Sequence, residues 1–326
     1  MAYAMTRPDV LLVSLGGTAG LRAADDALAG ALRRAGASVA VARVPAAREP
    51  RTFALTDLAW AVPARRAAAA ALRAARPRAI VYSSSTAALL WPEPGAIRFD
   101  APAAGNRPGR HGVWQRGVER RRFAQAPLLA PWSEGALAEA PAPHAPALVV
   151  PVPVAPSGPA SDRDLAAITY GANPEKKGLD RVLAAWRAVR RPGETLVVAG
   201  LAGRDEDGVR CAGMVAPDAY RALLRRARVF VTAPRREDYG IAQLEALADG
   251  CALVTSAAPG PYAALPLARA LDARLVGDDL GRALRVGLDD PAEGYADRAR
   301  AALAPWAPAA VDAVVAERLL PALLAL

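Results

Sequence analysis

Short apolar runs alternate with helix-length segments along this chain of 326 residues, and the alternation limits the folds that it can adopt. In the first half, residues 10–15, 39–44 and 79–82 have the composition of buried strands, and the stretches 21–34 and 65–76 between them have helical spacing. A strand, a helix and a second strand in sequence form a parallel βαβ unit. The pattern therefore predicts an α/β fold with parallel sheets.

A proline-rich segment divides this pattern in two. Residues 151–159 contain four prolines, which cannot lie inside a sheet or a helix because proline has no amide N–H to donate. The alternation then restarts with a strand at 165–170. We expect two doubly wound, Rossmann-like domains, residues 1–155 and 156–326, with a ligand cleft between them at the carboxyl ends of the strands. The apolar tail 311–326 predicts a last helix that either returns to the first domain or forms a dimer contact.

Composition excludes several other classes of protein. With 53% hydrophobic and 22% charged residues the chain can build a packed core, so wholesale disorder is excluded. Cys211 and Cys251 have no CxxC spacing and the chain has two histidines, so neither a zinc site nor a disulfide scaffold is expected. We find no signal peptide and no membrane-spanning apolar run, and we expect a soluble, cytoplasmic protein.

The charge of the chain is concentrated in its first half. Residues 1–155 contain 19 arginines and 10 acidic residues and so carry the whole net charge of +9. Such a half can face an anionic membrane, nucleic acid or an acidic substrate, and the alternative explanation is arginine bias from a GC-rich coding sequence. Nucleic acid is not an expected partner because aromatic residues that could stack on bases are not interleaved with the arginines.

The segment 233–255 carries a first group of candidate binding residues. A strand ends near residue 233, a loop carries Glu237, and a helix opens near Gly240, where unpaired amide groups and the helix dipole suit a phosphate. Glu245 lies about 7–8 Å further along the helix axis. The two glutamates can therefore bind hydroxyl groups at two ends of an extended ligand. The alternative is that Glu237 only favours the helix dipole and Glu245 is a solvated surface residue.

The segment 170–181 carries the second group, again between a strand and a helix. Lys176 and Lys177 are the only two lysines of the chain, against 39 arginines. An adjacent lysine pair at a strand-to-helix turn indicates compact cations that bind a phosphate. The alternative is a pair of solvated loop lysines.

Together the two segments resemble the glycosyltransferase family 4 signature (glycosyl transferases group 1), a family with the GT-B fold. Its members typically have Gly-Arg, then Lys-Gly, and later Glu-x-Phe/Tyr-Gly followed by Glu-Ala and Gly-x-Pro-Val. This chain has Gly171 to Gly178, then 237–240 as Glu-Asp-Tyr-Gly, Glu245-Ala and 250–254 as Gly-Cys-Ala-Leu-Val. The resemblance is strongest over residues 165–255.

The resemblance implies a donor site in the second domain. Lys177 and Lys176 would bind the diphosphate of a nucleotide-sugar donor. Glu237 would contact the hydroxyls of the donor sugar as a catalytic residue, and Glu245 would bind the ribose hydroxyls. Tyr239, Gly240 and Ile241 would also belong to the donor site, where the amide groups after Gly240 would meet phosphate or sugar. Such enzymes use no metal and no cofactor beyond the donor itself, so cations and a helix terminus must stabilise the leaving diphosphate.

Two departures from the family pattern affect this site. Ala172 stands where the family has an arginine, and we expect Arg235 or Arg236 to supply the missing charge. The family's Gly-Gly-x-Pro-Glu after the next strand is replaced by residues 257–262, which lack the acid. The contacts of this chain with the nucleotide base and the donor are therefore expected to be fewer than in the family, or different.

The first domain contributes further candidates. Gly16 and Gly17 follow the first strand, and in this fold that loop approaches the donor phosphates or the acceptor; an ordinary tight turn is the alternative. Asp100 stands at the end of the fourth strand, where many members of the family have a histidine. It can position or deprotonate an acceptor hydroxyl, or simply cap the loop.

The resemblance implies a retaining glycosyltransferase that acts on a sugar, lipid-linked or other small acceptor. The basic first domain favours an anionic or membrane-associated acceptor, with peripheral contact at the inner face of the membrane and a role in cell-envelope or glycoconjugate biosynthesis. Two alternatives remain: a catalytically silent GT-B protein that binds a nucleotide sugar or a partner enzyme, and a nucleotide-sugar 2-epimerase. The paucity of histidines disfavours the epimerase.

Overall fold

The computed structural model describes residues 7–45 and 53–326. Within these ranges the chain forms two compact units. Unit 1 comprises the residues up to Pro153 together with Pro308–Leu326, and unit 2 comprises Val154–Ala307. The chain therefore passes from one unit to the other twice, first inside the proline-rich segment and again shortly before the tail.

Each unit is built on a parallel sheet, and within the described ranges each sheet has five strands. In unit 1 the strand order is β2-β1-β3-β4-β5, and in unit 2 it is β10-β9-β6-β7-β8. The strands are β1 Val10–Ser14, β2 Val39–Arg43, β3 Ala79–Tyr82, β4 Ala96–Phe99, β5 Leu129–Pro131, β6 Leu165–Tyr170, β7 Leu196–Ala199, β8 Val209–Gly213, β9 Ala227–Thr232 and β10 Ala252–Thr255. The predicted pair of doubly wound α/β sheets is confirmed.

Helices lie in most of the connections that parallel pairing requires, and the loop 200–208 joins β7 to β8 without one. They are α1 Ala19–Arg34, α2 Phe53–Ala74, α3 Ser85–Ala88, α4 Ala103–Asn106, α5 Val113–Gln125, α6 Glu134–Ala138, α7 Pro174–Lys177, α8 Leu179–Val189, α9 Pro217–Arg226, α10 Ile241–Ala248, α11 Ala264–Leu271, α12 Leu280–Asp289, α13 Tyr295–Ala302, α14 Pro308–Val314 and α15 Leu320–Leu324. Among the described residues, no helix combines the length and the apolar character that crossing a membrane requires.

The core of unit 1 lies on both faces of its sheet. Side chains alternate between the two faces of a strand, so Val10 and Leu12 of β1 join one apolar cluster while Leu11 and Val13 join the other. A strand that is apolar at every position is the expected composition for a sheet covered by helices on both faces.

The tail packs within unit 1. Val311, Val315 and Leu323 are buried in the same cluster as Leu28 of α1. Arg34 of α1 also forms an ion pair of 2.7 Å with Asp312. One π-helical turn, residues 315–319, joins α14 to α15. Pro321 lies in the first turn of α15, where a proline needs no amide hydrogen bond, and the helical tail continues through it.

In three places the structure differs from the elements that local sequence pattern predicts, which are a strand at 148–150, no strand at 209–213 and a helix that begins at residue 65. The stretch 148–150 is not a strand, although its amides at Leu148 and Val150 bond to β5, because flanking prolines cannot continue a ladder. Strand β8 was not predicted, since an edge strand that is half exposed lacks a continuous apolar run. Helix α2 begins well before its predicted start and passes through Pro63, since the buried alanines on either side keep the helix packed.

The strand order of unit 2 places one pair of loops in a special position. The chain leaves β6 towards β7 and β8 on one side, and later adds β9 and β10 on the other. The order therefore reverses between the adjacent strands β6 and β9, whose connections leave a crevice at their carboxyl ends. Both predicted donor-binding segments begin at these two ends.

Candidate functional site

The segment after β6 makes a tight helical turn that presents both lysines. Asn173 adopts a left-handed conformation, with φ of 57°, and its side-chain oxygen accepts a hydrogen bond of 3.2 Å from the amide of Lys176. After this single turn, α7, the backbone reverses at Gly178, with φ of 61°. A Cβ at Gly178 would lie 1.9 Å from the carbonyl oxygen of Ala233. Glycine is therefore needed here both for the conformation and for the close approach of the loop after β9.

This close approach brings the two predicted segments together. Lys177 Nζ donates a hydrogen bond of 2.7 Å to Glu237 Oε2, and Lys176 Nζ lies 2.5 Å from Asp238 Oδ2. The backbone adds a third link, because the Arg235 amide donates to the Lys176 carbonyl oxygen at 3.0 Å. Four charges of alternating sign thus lie at the carboxyl ends of β6 and β9.

Glu237 is fixed by its surroundings. Its side chain is 6% exposed, and Gln243 Nε2 of α10 donates a 2.8 Å hydrogen bond to the same Oε2 atom that Lys177 contacts. The Glu237 amide donates to the carbonyl oxygen of Pro259 at 3.0 Å. A Cβ at Gly260, where φ is 110°, would lie 2.3 Å from the Glu237 carbonyl oxygen. Packing of this kind holds a carboxylate in one orientation before any ligand arrives.

The residues that follow form the entrance of α10. Tyr239 is buried, and its hydroxyl accepts a 2.9 Å hydrogen bond from Trp306 Nε1. Gly240 precedes the helix with φ of 91°, a conformation that favours glycine, and a Cβ there would lie 2.9 Å from the Tyr262 ring. No side chain caps the helix, so the first amide groups, from Ile241 onward, keep hydrogen bonds available for a ligand.

Glu245 lies on α10 a little more than one turn beyond that entrance. Its side chain is 26% exposed, and Arg221 Nη1 of α9 is 3.6 Å from Glu245 Oε1. Burial raises the pKa of Glu245 above its ordinary value, Arg221 lowers it, and Asp249 raises it further. Glu245 is therefore neither a solvated surface residue nor a fully enclosed one.

The two arginines of the loop face different partners. Arg235 is 55% exposed and lies 3.1 Å from Asp180 on α8. Arg236 is 19% exposed, and its Nε atom donates a 3.2 Å hydrogen bond to Asp238 Oδ1. Arg236 thus joins the charged cluster at the strand ends, while Arg235 points to the helix beside it. Their predicted role in place of the family's arginine at Ala172 stays a prediction.

Unit 1 holds the other three predicted site residues. Gly16 has φ of 55°, and its carbonyl oxygen accepts a 2.7 Å hydrogen bond from Arg22 Nη1. Gly17 lies against the ring of Trp60, where a Cβ would make ordinary contact at 3.7 Å. Asp100 Oδ1 accepts a 2.9 Å hydrogen bond from the amide of Ala101, which is the loop-capping contact considered above. The proposed action of Asp100 on an acceptor stays a prediction.

A buried polar cluster that sequence reasoning missed supports the Gly16 loop. Asp25 of α1 is 1% exposed, accepts a 2.6 Å hydrogen bond from Ser14 Oγ and lies 3.7 Å from Arg98 of β4. Burial raises the pKa of Asp25, and the bond from Ser14 and the charge of Arg98 lower it. Ser83 accepts the amide of Leu15 at 3.0 Å. The sequence does contain a signal for this cluster, because Asp25 is a carboxylate on the apolar face of α1.

Sequence reasoning also missed four contacts in unit 2. Gln243, Arg221, Asp249 and Trp306 hold the predicted site residues but belong to no motif that was recognised. Gln243 in the first turn of α10 and Asp249 just after its last turn are buried polar residues in an otherwise largely apolar segment, which is the signal that was present. Within the described ranges, no group of three or more His, Cys, Asp or Glu side chains is arranged to hold a metal ion.

Solved structures identify the class of fold. A crystal structure of Anabaena Alr3699/HepE in complex with UDP and glucose matches 96% of this chain and 99% of its own, with a TM-score of 0.71 at 14% identity. WaaG, a glycosyltransferase involved in lipopolysaccharide biosynthesis, matches 94% and 99%, with a TM-score of 0.68 at 13% identity. Sucrose-phosphate synthase from Thermosynechococcus elongatus matches 95% and 98%, with a TM-score of 0.67 at 15% identity. The fold is that of GT-B glycosyltransferases.

A family model matches part of the sequence of unit 2. Residues 165–279 match the family model described as Glycosyl transferases group 1, which confirms the resemblance predicted from the two motifs. The matched segment spans β6 to β10 and contains every site residue that the sequence predicted in unit 2. No curated protein matches this chain. The family match supports a glycosyltransferase that uses a nucleotide sugar.

Proposed function

We propose that this protein transfers a sugar from a nucleotide-diphosphate donor to an acceptor hydroxyl, with retention of configuration and without a metal ion. The observation that carries the proposal is the charged cluster at the carboxyl ends of β6 and β9. There Lys177 contacts Glu237 at 2.7 Å and Lys176 contacts Asp238 at 2.5 Å. This cluster lies at the topological switch point of a sheet matched by the glycosyltransferase model.

The donor site uses each of these groups in a different way. An ammonium group has three N–H donors, so Lys177 can keep its bond to Glu237 and still donate to a phosphate oxygen. Lys176 is 39% exposed and can reach a second phosphate oxygen. The first amide groups of α10 offer further donors and the positive end of the helix dipole. Glu237 accepts hydrogen bonds from the donor sugar, and Glu245 accepts them from the ribose.

The reaction breaks the bond between the anomeric carbon and the diphosphate oxygen, which leaves with the bonding electron pair. The acceptor hydroxyl adds to the same face of the sugar, and its proton passes to Asp100 or to an oxygen of the departing diphosphate. Negative charge grows on the diphosphate in the transition state, where the lysines and α10 already stand in place to stabilise it. Glu237 stabilises the positive charge that develops on the sugar.

Unit 1 supplies the acceptor side in this proposal, through Gly16, Gly17 and Asp100. A cleft between the two domains stays a prediction. The net charge of the first half favours an acceptor that is anionic or presented on an anionic membrane. Three of the exposed large apolar residues support a membrane contact: Leu55 and Leu58 of α2 are 51% and 37% exposed, and Val113 of α5 is 59% exposed.

Leu55, Leu58 and Val113 lie on neighbouring elements of unit 1, and arginine side chains lie close to them in the chain. The 3-10 turn 110–112 packs against α2, and Arg107 forms a 2.8 Å ion pair with Asp57 of that helix. Arg110 and Arg120 are exposed on the same stretch of chain. Apolar side chains between arginines are the composition of a surface that binds anionic lipid headgroups. The proposed location is therefore cytoplasmic and peripheral to the membrane.

A vesicle assay tests the membrane contact. Sedimentation of the whole protein with vesicles of phosphatidylcholine and phosphatidylglycerol is expected to exceed that with phosphatidylcholine alone, and to fall with salt. Val113→Glu is expected to reduce binding, while Met214→Glu, which changes a still more exposed apolar residue of unit 2, is expected to leave it unchanged. Equal binding to both vesicle types would refute the contact.

Nucleotide titration tests the donor site. We expect one of UDP, GDP and ADP to bind in a calorimeter, and Lys177→Ala to weaken that binding. Arg187→Ala is the matched control, because Arg187 pairs with Glu206 on the surface of unit 2. Arg235→Ala and Arg236→Ala determine which arginine contributes to donor affinity. If none of the nucleotides binds, the proposed function is wrong.

Consumption of the donor separates the enzyme from a silent binder. Each nucleotide sugar is incubated with the protein and candidate acceptors, and the released nucleoside diphosphate is measured. Two observations support the alternative of a protein that binds a nucleotide sugar without catalysis. The family's arginine is replaced by Ala172, and both lysines already form ion pairs with carboxylates. This alternative predicts nucleotide binding without turnover. Release of nucleotide that depends on Glu237 would exclude it.

A further inference from the structure

Arg221 connects three groups at the deep end of the candidate donor site. It projects from α9, and its side chain is 16% exposed. Its Nε atom donates a 2.6 Å hydrogen bond to Asp249 Oδ2, and its Nη2 atom donates a 2.7 Å hydrogen bond to the Ala155 carbonyl oxygen. Its Nη1 atom lies 3.6 Å from Glu245 Oε1. One guanidinium group thus faces two carboxylates of α10.

The two carboxylates would repel one another without this cation. Glu245 and Asp249 are four residues apart and therefore lie on the same face of the helix end, where like charges destabilise each other. Both are substantially buried, with 26% and 0% of their side chains exposed. Arg221 is the positive charge within ion-pair distance of both among the described residues.

Asp249 serves as the anchor of this arrangement. Besides Arg221, it accepts hydrogen bonds from the Ser157 amide at 2.8 Å and from Ser157 Oγ at 3.0 Å. Three donors and complete burial fix the Asp249 carboxylate, and Asp249 with the Ala155 carbonyl fixes the guanidinium plane of Arg221. The Nη1 atom is thereby held at a set distance from Glu245.

The distance of 3.6 Å has a specific consequence. It is short enough for electrostatic attraction and too long for a hydrogen bond. Glu245 is therefore kept next to a positive charge while its oxygen lone pairs stay available to accept hydrogen bonds from a ligand. Among the other groups packed against Glu245, Asp249 disfavours its ionised form and the neutral Tyr220 hydroxyl adds no positive charge.

We propose that Arg221 is a positioning residue for Glu245, which it holds as an ionised, correctly oriented acceptor for the hydroxyl groups of the nucleotide ribose. This inference rests on the proposed function, because it takes Glu245 as the ribose-binding residue. Arg221 itself touches neither donor nor acceptor. Its effect reaches the donor only through the carboxylate of Glu245.

The test measures discrimination between a ribose and a deoxyribose. Dissociation constants of UDP and 2′-deoxy-UDP, or of the GDP or ADP pair if that base binds, are measured by calorimetry between pH 5.5 and 8.5. A hydrogen bond to a charged group corresponds to about tenfold or more in affinity, so the wild-type protein is expected to prefer the ribonucleotide by that factor. The preference is expected to decline at low pH as Glu245 takes up a proton.

Three variants of Arg221 carry the test. Arg221→Met and Arg221→Gln remove the charge, and each is expected to reduce the ribose preference to less than about threefold, as Glu245→Gln does. Arg221→Gln keeps a donor for Asp249, so the test does not depend on the folding of Arg221→Met. Arg221→Lys retains the charge and is expected to recover part of the preference. Arg226→Met, on the same helix but paired with Asp164 at the surface and outside the Asp249 network, is the matched control and keeps the full preference.

The outcomes separate this inference from the proposed function. If no nucleotide binds the wild-type protein, the proposed function has failed. If nucleotide binds and folded Arg221→Gln keeps the wild-type ribose preference, the positioning role is wrong while the donor site stands. An Arg221→Lys variant no better than Arg221→Gln would likewise overturn the electrostatic role. Combining Arg221→Gln with Glu245→Gln is expected to have no effect beyond that of Glu245→Gln alone.

Discussion

Replacing Gly178 by alanine is the most direct test of how the two donor segments are joined. Gly178 ends the lysine turn with φ of 61°, and the site of its missing Cβ lies 1.9 Å from the Ala233 carbonyl oxygen. Side-chain carbons essentially never approach another atom closer than 3.0 Å. An alanine therefore forces the two segments apart by about 1 Å. The Lys177–Glu237 contact of 2.7 Å spans that boundary.

The expected cost has two parts. A non-glycine residue in the left-handed conformation costs about 1–2 kcal/mol. Forcing a methyl group into packed backbone costs about 1–3 kcal/mol more. We expect Gly178→Ala to destabilise unit 2 by about 2–5 kcal/mol. Gly193 has φ of 83° with no atom within 4 Å of its Cβ position, so Gly193→Ala isolates the first part, about 1–2 kcal/mol.

Urea unfolding followed by circular dichroism, together with nucleotide titration, measures both consequences. Both glycines lie in unit 2, so the same transition reports on both variants. Gly178→Ala is expected to lose more stability than Gly193→Ala and also to lose nucleotide affinity, which Gly193→Ala retains. Equal stability losses and unchanged affinity would refute the reasoning that this close contact assembles the site.

Three further predictions concern stability. Burial raises the pKa of Glu119 from 4.5 to about 7, so between these pH values the folded protein retains a proton that the unfolded chain releases. The free energy of unfolding is therefore expected to fall by about 3 kcal/mol as the pH rises through this range. Urea midpoints measured at several pH values should show this decline in the wild-type protein and not in Glu119→Gln. Asn173→Ala, at the left-handed cap of α7, is expected to cost about 1–3 kcal/mol in urea unfolding, but Asn173→Gly only a few tenths, and equal losses would contradict a role for the conformation. Trp306→Phe removes the hydrogen bond to Tyr239 and is expected to lower the unfolding free energy of unit 2 by about 1 kcal/mol, whereas an unchanged value would show that the bond contributes nothing.

Most of the fold could be predicted from local pattern. Strands β3 and β6 occur at the predicted bounds, because each is a short apolar segment ended by residues that do not continue it. The half-exposed strand β8 could not be predicted in this way. It forms a strand because it pairs with β7 at the edge of the sheet, and its own residues lack a continuous apolar run.

The candidate site divides along similar lines. The residue types that follow β6 and β9 can be read from chain order, and spacing predicts that Glu245 lies on the helix that opens at Gly240. These are consequences of chain order and helix geometry. The partners that fix the site come from elsewhere in the chain: Arg221 and Glu245 are 24 positions apart, and Trp306 and Tyr239 are 67 positions apart.

The pairing of the two lysines with acidic residues depends on the packing of the folded chain. Lys176 and Asp238 are 62 positions apart in the chain. The sequence predicted lysines that bind a phosphate, and it did not predict that both lysines form ion pairs with carboxylates. The parallel pairing of β6 with β9 and the missing side chain of Gly178 bring these groups within hydrogen-bond distance. Composition and local spacing specify which elements form. The distances between charges depend on packing between strands that adjoin in the sheet but are far apart in the chain.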